Sequence, residues 1–291
     1  TEDRAYTLVS EAIDRSGMGR ATLAPRAGMS APVPPLRERP LLTMRDMGMD
    51  MSAHAAGGAA GMGHASMPGM DHAAMASSAG AAAAPGMAPP RVRGSDVMAD
   101  MPGMDMNMRD PKNAPQIKIG PGVQMIAPMP MDRTGEPGLG LESVGHRVLV
   151  YSDLLSLEPN PDPRPPTRAL EIRLTGNMER FMWGFDGWQF SENPPPYAFR
   201  TGERVRITLV NDSMMTHPIH LHGHFFEIVH AKVAAGHLPR KHTVNVAPGG
   251  KVTFDITAEA GDWAFHCHML YHMHEGMFQV FAVRPHQGEG A

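Results

Sequence analysis

Residues 251–277, KVTFDITAEAGDWAFHCHMLYHMHEGM, carry the strongest structural signal of the chain. At their start, Val252, Phe254 and Ile256 alternate with polar residues, which is typical of a strand with one buried face. Ala-Gly-Asp at 260–262 predicts a turn, and the chain then enters a dense group of His, Cys and Met residues. The stretch therefore predicts antiparallel β-structure that leads into a cluster of potential metal ligands.

The same period of two recurs upstream. Val205, Ile207 and Leu209 alternate with charged or polar neighbours, and Arg168–Leu174 is a further strand. Turn residues at 246–250 separate the strands at the spacing of a β-sandwich, and no stretch of useful length has helical periodicity. We expect an all-β sandwich over residues 116–291, with Trp183 as a core residue.

Composition excludes several classes of protein. The single Cys excludes an intrachain disulfide framework and any Cys-x-x-Cys zinc or redox site. A formal net charge of -4 gives no global electrostatic reason to bind nucleic acid. No apolar run approaches the roughly 18 residues of a membrane span.

The N-terminal part differs in character. Residues 43–115 lose all periodicity and are dominated by Met, Gly, Ala, Pro, Asp and His, which predicts a disordered, Met-rich low-complexity insert. Before it, Tyr6–Ile13 and Ala21–Leu23 are predicted strands. A strand so near the start predicts that residues 1–42 are the C-terminal strands of a preceding, truncated domain; a short docked hairpin is the alternative.

Histidine is concentrated near the C-terminus, where two runs, HPIHLHGH at 217–224 and HCHMLYHMH at 266–274, hold eight of the 16 His residues. Successive side chains of a strand point to opposite faces. Cys267 therefore faces away from both of its His neighbours, and the first run divides in the same way. The side opposite Cys267 collects four imidazoles: His220, His222, His266 and His268.

On the Cys267 side, the available ligands are the thiolate, His217, His272 and Met277. Two imidazoles, a thiolate and a weak axial thioether form the ligand set of a blue copper electron-transfer site. Zinc is the main alternative, but zinc sites usually take several thiolates, four strong ligands, or three strong ligands plus water. One Cys followed by a late Met favours copper, and a cluster of four imidazoles without a carboxylate also suits copper.

The two motifs HPIHLHGH and HCHMLYHMHEGM together resemble the C-terminal copper motifs of the multicopper oxidases, whose catalytic domains are cupredoxin-like Greek-key sandwiches. The wider chain, including LAPRAGMSAPVP, LTGNMERFMWGFDG and RKHTVNVAPGGKV, is similar to the CopA-type periplasmic copper-resistance oxidases. The resemblance implies a cupredoxin-like domain at 116–291, the edge of a preceding cupredoxin domain at 1–42, and a periplasmic oxidoreductase.

The resemblance also implies a ligand assignment. The type 1 copper would be held by His217, Cys267, His272 and Met277. The type 2 copper would be held by His220, and the type 3 pair by His222, His266 and His268. In the family, electrons enter at type 1 copper and pass through Cys267 and its flanking residues, so Cys267, His266 and His268 are the expected catalytic residues. Dioxygen, the expected second partner besides copper ions, is reduced to water at the trinuclear cluster.

The trinuclear cluster is half built in this chain. The family supplies the other four ligands from two His-x-His motifs of an N-terminal cupredoxin domain, whereas no His-x-His precedes His217 here. Either this chain is the C-terminal piece of a longer polypeptide, or a second chain supplies the missing half. Met273, directly after His272, stands where some relatives have an acidic residue that delivers protons; whether Glu275 takes that role stays open.

The insert suggests copper handling, because the soft thioether sulfur of Met favours Cu(I). An inert flexible linker is the alternative. The expected weak Cu(I) sites are Met44, Met47, Met49, Met51, Met67, Met70, His72, Met101, Met104 and Met106.

Two functions of different class follow from these features. The first is an oxidase that oxidises Cu(I), and phenols, at the type 1 copper. The second is a copper-sequestering resistance protein that uses the Met-rich sites without turnover. A simple electron carrier or a copper nitrite reductase has no use for His on both sides of Cys267.

Overall fold

Residues 2–48, 108–232 and 236–285 are described by the computed structural model. The strands are β1 (Tyr6–Glu11), β2 (Met18–Leu23), β3 (Met131–Asp132), β4 (Arg168–Asn177), β5 (Met182–Phe185), β6 (Tyr197–Arg200), β7 (Arg204–Asn211), β8 (His217–Leu221), β9 (Phe226–Val229), β10 (Arg240–Lys241), β11 (Thr243–Val246), β12 (Gly250–Thr257), β13 (Gly261–Cys267) and β14 (Phe278–Arg284). One short helix, α1 (Leu270–His274), lies between β13 and β14, and 3₁₀ turns cover Met44–Met47, Pro111–Asn113, Tyr151–Asp153 and Phe190–Glu192. Within these described ranges, no helix has the length and apolarity needed to cross a membrane.

Two mixed sheets pack face to face. The larger has the order β10-β9-β12-β7-β4-β5, with β3 added beside β12, and the smaller has the order β11-β8-β13-β14-β6. Strands that follow each other in sequence, such as β7 and β8 or β12 and β13, lie in different sheets, so the chain crosses repeatedly between the layers. The predicted all-β sandwich is confirmed.

The alternating apolar residues form the core between the sheets. Ile207 and Phe254 from the larger sheet and Ile219 and Phe265 from the smaller one have no exposed surface. Burying each of these side chains stabilises the fold by about 1.5–3 kcal/mol. Cys267 and Met277 belong to the same core cluster, so the potential ligands on that side lie inside the sandwich.

The first residues of the predicted insert pack on the sandwich. Asp46 is buried and accepts a hydrogen bond of 2.7 Å from Arg133. Gly48 lies in the left-handed region at φ 71°, and a Cβ added there would come within 2.7 Å of the Ala127 Cβ. Residues 43–48 therefore lie with the sandwich and not with the insert.

The last residues of the predicted insert are also ordered by packing: Ala114 is fully buried in a small apolar cluster with Ile117, Val123 and Ile126. The predicted boundaries of 43–115 are thus too wide on both sides. The two flanks also meet on one short segment, because Ile126 N–H donates to the Met108 carbonyl and Met129 N–H to the Gly48 carbonyl.

The N-terminal hairpin stands apart from both sheets. β1 and β2 pair antiparallel with each other, and no other strand of the described residues joins them. Leu8 and Leu23 are 53% and 58% exposed, and Arg15 donates to the Leu139 carbonyl. That residues 1–42 are the edge of a preceding domain stays a prediction.

Candidate metal centre

Three potential ligands converge inside the sandwich. The Cys267 Sγ lies 3.7 Å from His217 Nδ1 and 3.8 Å from His272 Nδ1, and these two nitrogens are 3.2 Å apart. All three side chains are buried. Donor atoms at these separations can bind a single ion between them.

The strand register places the first two. Cys267, the last residue of β13, pairs with Ile219 of β8, so it lies on the same face as His217, two residues before Ile219. This is the face that contacts the core.

After β13 the chain folds back and brings the other two predicted ligands, His272 and Met277, towards Cys267. Helix α1 carries His272 towards the Cys267 sulfur. Gly276 allows the return because it adopts φ 121°, and a Cβ added there would come within 2.8 Å of the Trp183 carbonyl oxygen. Met277 N–H donates to the His272 carbonyl at 2.9 Å, and Cys267 N–H donates to the Met277 carbonyl at 3.1 Å. Met277, the predicted axial ligand, is fully buried.

The opposite side of β13 carries the second group. His266 pairs directly with His220 of β8, and its Nε2 lies 3.1 Å from the Nε2 of His222. The donor atoms of His220, His222 and His266 all lie within 4.8 Å of one another. The ring of His268 lies 5.7 Å from the rings of both His220 and His266.

The two groups differ in exposure. The His217, Cys267 and His272 side chains are enclosed, whereas His222 and His268 are exposed and only His266 of the second group is buried. Seven of the eight predicted ligands thus form two groups on opposite sides of one strand, and Met277 is buried beside the first.

Burial keeps the first group free of charge in the absence of a metal. Desolvation lowers the pKa of His272 to about 4, and desolvation together with the neighbouring His272 lowers the pKa of His217 to about 3. Burial raises the pKa of the Cys267 thiol to about 12. At neutral pH the site therefore offers two neutral imidazoles and one thiol whose proton a cation must displace.

Hydrogen bonds determine which ring nitrogen is available. On the exposed side, His220 Nδ1–H donates to the His242 carbonyl and His266 Nδ1–H to the Cys267 carbonyl, which leaves Nε2 of both rings for a ligand. On the core side the Nε2 of His217 is bound by Ser213, which leaves Nδ1.

Two neighbours of the first group were not predicted to contact it. Trp183 is a core residue, as expected, but its ring also stacks on His272 with centroids 4.2 Å apart and planes at 15°. Ser213 is buried against His217. The Trp183 contact joins distant parts of the chain and depends on tertiary packing. The Ser213 contact spans only four residues, between β7 and β8, but a serine at this spacing was not recognised as a partner of the ligand.

Known proteins resemble the chain across both groups of ligands. A family model described as multicopper oxidase matches residues 163–287, which include every residue of the two groups. Copper resistance protein A of Escherichia coli is 44% identical over 292 residues, 97% of this chain. The chain belongs to the multicopper oxidase family.

Family membership confirms the cupredoxin-like class of the sandwich and the choice of copper over zinc. The chain spans about half the length of the curated relatives it matches, since the alignment covers 46% of the E. coli protein. The Copper resistance protein A homolog of Pseudomonas syringae pv. tomato is 43% identical over 97% of this chain, and 45% of its own length is covered. Among solved structures, McoA multicopper oxidase from Aquifex aeolicus aligns with 27% identity and a TM-score of 0.38, over 44% of this chain and 31% of that one.

The expected weak Cu(I) sites of this family member fall mostly outside the described residues. Met44 is described and is 37% exposed, at the start of a 3₁₀ turn. Met47 lies in the same turn, and its side chain is not described. The expected sites that lie outside the described residues are Met49, Met51, Met67, Met70, His72, Met101, Met104 and Met106.

Proposed function

We propose that this chain is the C-terminal, copper-binding part of an oxidase that takes electrons from Cu(I), and from phenols, at the Cys267 group and delivers them to dioxygen at the exposed imidazoles. The observation that supports it most directly is the placement of a thiolate site and an imidazole cluster on opposite sides of one strand. Cys267 and His266 are neighbours in the chain, so a single peptide unit joins the two groups. A lone electron carrier needs only the first group.

The residues of the Cys267 group fit a type 1 copper. Their donors are one sulfur and two unprotonated nitrogens in a closed, apolar site, and soft or borderline ligands of this kind suit copper. Bound copper would supply one-electron exchange at this group and dioxygen reduction at the imidazole cluster. The chain itself excludes water from the first group, because His217, Cys267 and Met277 have no exposed surface.

The imidazole cluster fits half of a trinuclear site. His220, His222, His266 and His268 share one side of the sheet, and two of these rings are exposed. The relatives are about twice as long as this chain. We infer that an N-terminal cupredoxin domain, from the same precursor or a second chain, covers this face and adds two His-x-His motifs, and that the complete protein works in the periplasm.

Dioxygen consumption tests the proposal. The complete protein, with the N-terminal part that the longer relatives have, should consume dioxygen when Cu(I) is supplied, and the His266→Ala variant should not. The 291-residue chain alone, loaded with copper, should show intense thiolate-to-copper absorption without dioxygen uptake. Robust uptake by this chain alone would contradict the half-cluster assignment.

Copper sequestration is the second candidate, because the relatives carry the description copper resistance and the insert is rich in Met. It predicts tight binding of several copper ions by the complete protein with no dioxygen uptake. Equilibrium dialysis and an oxygen electrode on the same sample therefore distinguish the two functions. Uptake that persists after residues 49–107 are replaced by a short linker would exclude sequestration as the main activity.

A further inference from the structure

The buried side of His217 carries a hydrogen-bonded relay that the copper assignment does not use. Ser213 is 2% exposed, and its Oγ lies 2.6 Å from His217 Nε2, on the opposite side of the ring from the Cys267 sulfur. Asn211 is fully buried, and its Oδ1 lies 2.9 Å from the Ser213 Oγ. The three side chains form a line from the end of β7 to the first residue of β8.

The donors in this line can be assigned from its far end. The Asn211 amide nitrogen donates to the Met215 carbonyl at 2.7 Å and to the Val246 carbonyl at 3.0 Å, so its Oδ1 must point towards Ser213. That oxygen accepts the Ser213 backbone N–H at 2.9 Å and lies 2.9 Å from the Ser213 hydroxyl. The position of the Asn211 oxygen is thus fixed by three backbone groups.

The Ser213 hydroxyl has one hydrogen, and this hydrogen is directed away from His217. Its available acceptors are Asn211 Oδ1 at 2.9 Å and the Met215 carbonyl at 3.2 Å. If the hydroxyl donated to His217 instead, two buried oxygens would face Oγ without a proton between them, which is costly in a site without water. Ser213 therefore accepts from His217, and the His217 ring carries its proton on Nε2.

We propose that Asn211 and Ser213 are positioning residues that fix the tautomer of His217 and so present an unprotonated Nδ1 to the metal at the Cys267 group. This inference rests on the proposed function for its metal, but not for its tautomer, which is a property of the metal-free chain. A neutral imidazole whose Nδ1 carried the proton would have no lone pair towards Cys267. It would also leave His217 Nε2 without a hydrogen, facing a Ser213 hydroxyl whose one hydrogen is directed away from the ring.

Ring nitrogen chemical shifts of the full chain, labelled with 15N-histidine and kept metal-free and reduced, test the tautomer directly. We expect His217 to show a protonated Nε2 in the wild type, and a mixture of tautomers in Ser213→Ala. Ser213→Thr keeps a hydroxyl and should restore the wild-type pattern. The matched control is Ser152→Ala, which removes another buried hydroxyl, one without a hydrogen-bond partner among the described residues.

Copper affinity provides the second measurement. Loss of a group that orients a metal-binding His typically reduces metal affinity about 10–100-fold. We expect a decrease of this size for Ser213→Ala in competition with a chelator, with no change for Ser152→Ala. A wild-type His217 protonated on Nδ1, or a Ser213→Ala variant with both tautomer and affinity unchanged, would overturn the proposal.

The two readouts separate this inference from the proposed function. If the wild type shows no thiolate-to-copper absorption, the copper assignment fails while the tautomer result still decides the role of Ser213. If Ser213→Ala does not fold, the wild-type tautomer and the Ser213→Thr variant decide it. A metal-free wild type with the protonated Nε2, together with a normal Ser213→Thr pattern, supports the relay without any need for the Ala variant.

Discussion

Lowering the pH should destabilise the metal-free chain steeply, because two histidines are buried without charge. The pKa values of His217 and His272 fall to about 3 and about 4 in the folded chain, from the ordinary histidine value of 6.5. The unfolded chain therefore binds these protons first as the pH falls through 6.5. The stability contribution of the two neutral rings is complete above that pH and is lost progressively towards pH 4.

The size of the effect follows from proton linkage. Each ring protonated only in the unfolded state lowers the free energy of unfolding by about 1.4 kcal/mol per pH unit, so near pH 5 the two together contribute about 2.5 kcal/mol per unit. Two desolvated carboxyls act in the opposite direction. Desolvation raises the pKa of Asp186, and it raises the pKa of Asp212 to about 6, so the folded chain takes up these protons first and gains stability as the pH falls.

Comparison of variants separates these contributions. Urea unfolding at several pH values between 7 and 4.5, with a chelator and a reductant present, should give a smaller loss of stability per pH unit in His217→Asn and in His272→Asn than in the wild type. The expected difference is about 1.2 kcal/mol per unit near pH 5 for each variant. His146→Asn, which removes an imidazole from an exposed position, is the control and should retain the wild-type slope. Equal slopes in the wild type and both buried-site variants would refute the assignment of neutral, buried rings.

Further predictions concern the thiol and the insert. Cys267→Ser should abolish the thiolate-to-copper absorption while far-UV circular dichroism stays that of the sandwich, because only the sulfur is exchanged; retained absorption would exclude Cys267 as a ligand. Copper binding at the Cys267 group should release about one proton per ion at pH 7, because burial raises the pKa of the thiol to about 12. For the same reason the affinity of this group for copper should rise about tenfold per pH unit between pH 6 and 8. Titration in a weakly buffered indicator solution measures the proton release, and a pH-independent affinity would contradict the prediction. Replacing residues 49–107 with a short Gly/Ser linker should leave the melting temperature nearly unchanged, because both flanks are hydrogen-bonded to one short segment. Replacing 43–107 should lower the melting temperature, since it removes the buried ion pair between Asp46 and Arg133; equal melting temperatures for the two replacements would show that residues 43–48 contribute nothing to the fold.

The strands and the division of the ligands could be predicted because they depend on local geometry. The period of two assigns Phe254 to the core and separates Cys267 from His266, and both assignments need only neighbouring residues. The limits of the insert could not be predicted in this way. Asp46 and Ala114 lie in a stretch of low-complexity composition, and what orders them is Arg133 in one case and a small apolar cluster in the other.

The contacts of Ser213 and Trp183 show the same limit inside the site. Each residue is ordinary in its own segment: Ser213 meets its ligand through the conformation of the β7–β8 connection, and Trp183 meets its ligand only when distant parts of the chain pack together. Residue types with a strong chemical preference, such as Cys and clustered His, can be identified from sequence. The residues that orient them are ordinary in type and are identified only by position.

The rings of His266 and His217 have opposite tautomers because they donate to different acceptors. On the exposed side, His266 Nδ1–H reaches the carbonyl of the next residue, Cys267, so the backbone itself can hold the ring. On the core side, the His217 Nε2–H donates to the Ser213 hydroxyl, while the Cys267 N–H donates to the Met277 carbonyl. The same Cys267 residue therefore anchors His266 on one side and Met277 on the other, which makes the relative position of the two groups a property of a single rigid peptide. A substitution that shifts this backbone, as opposed to one that removes the Cys267 sulfur, should disturb both groups at once.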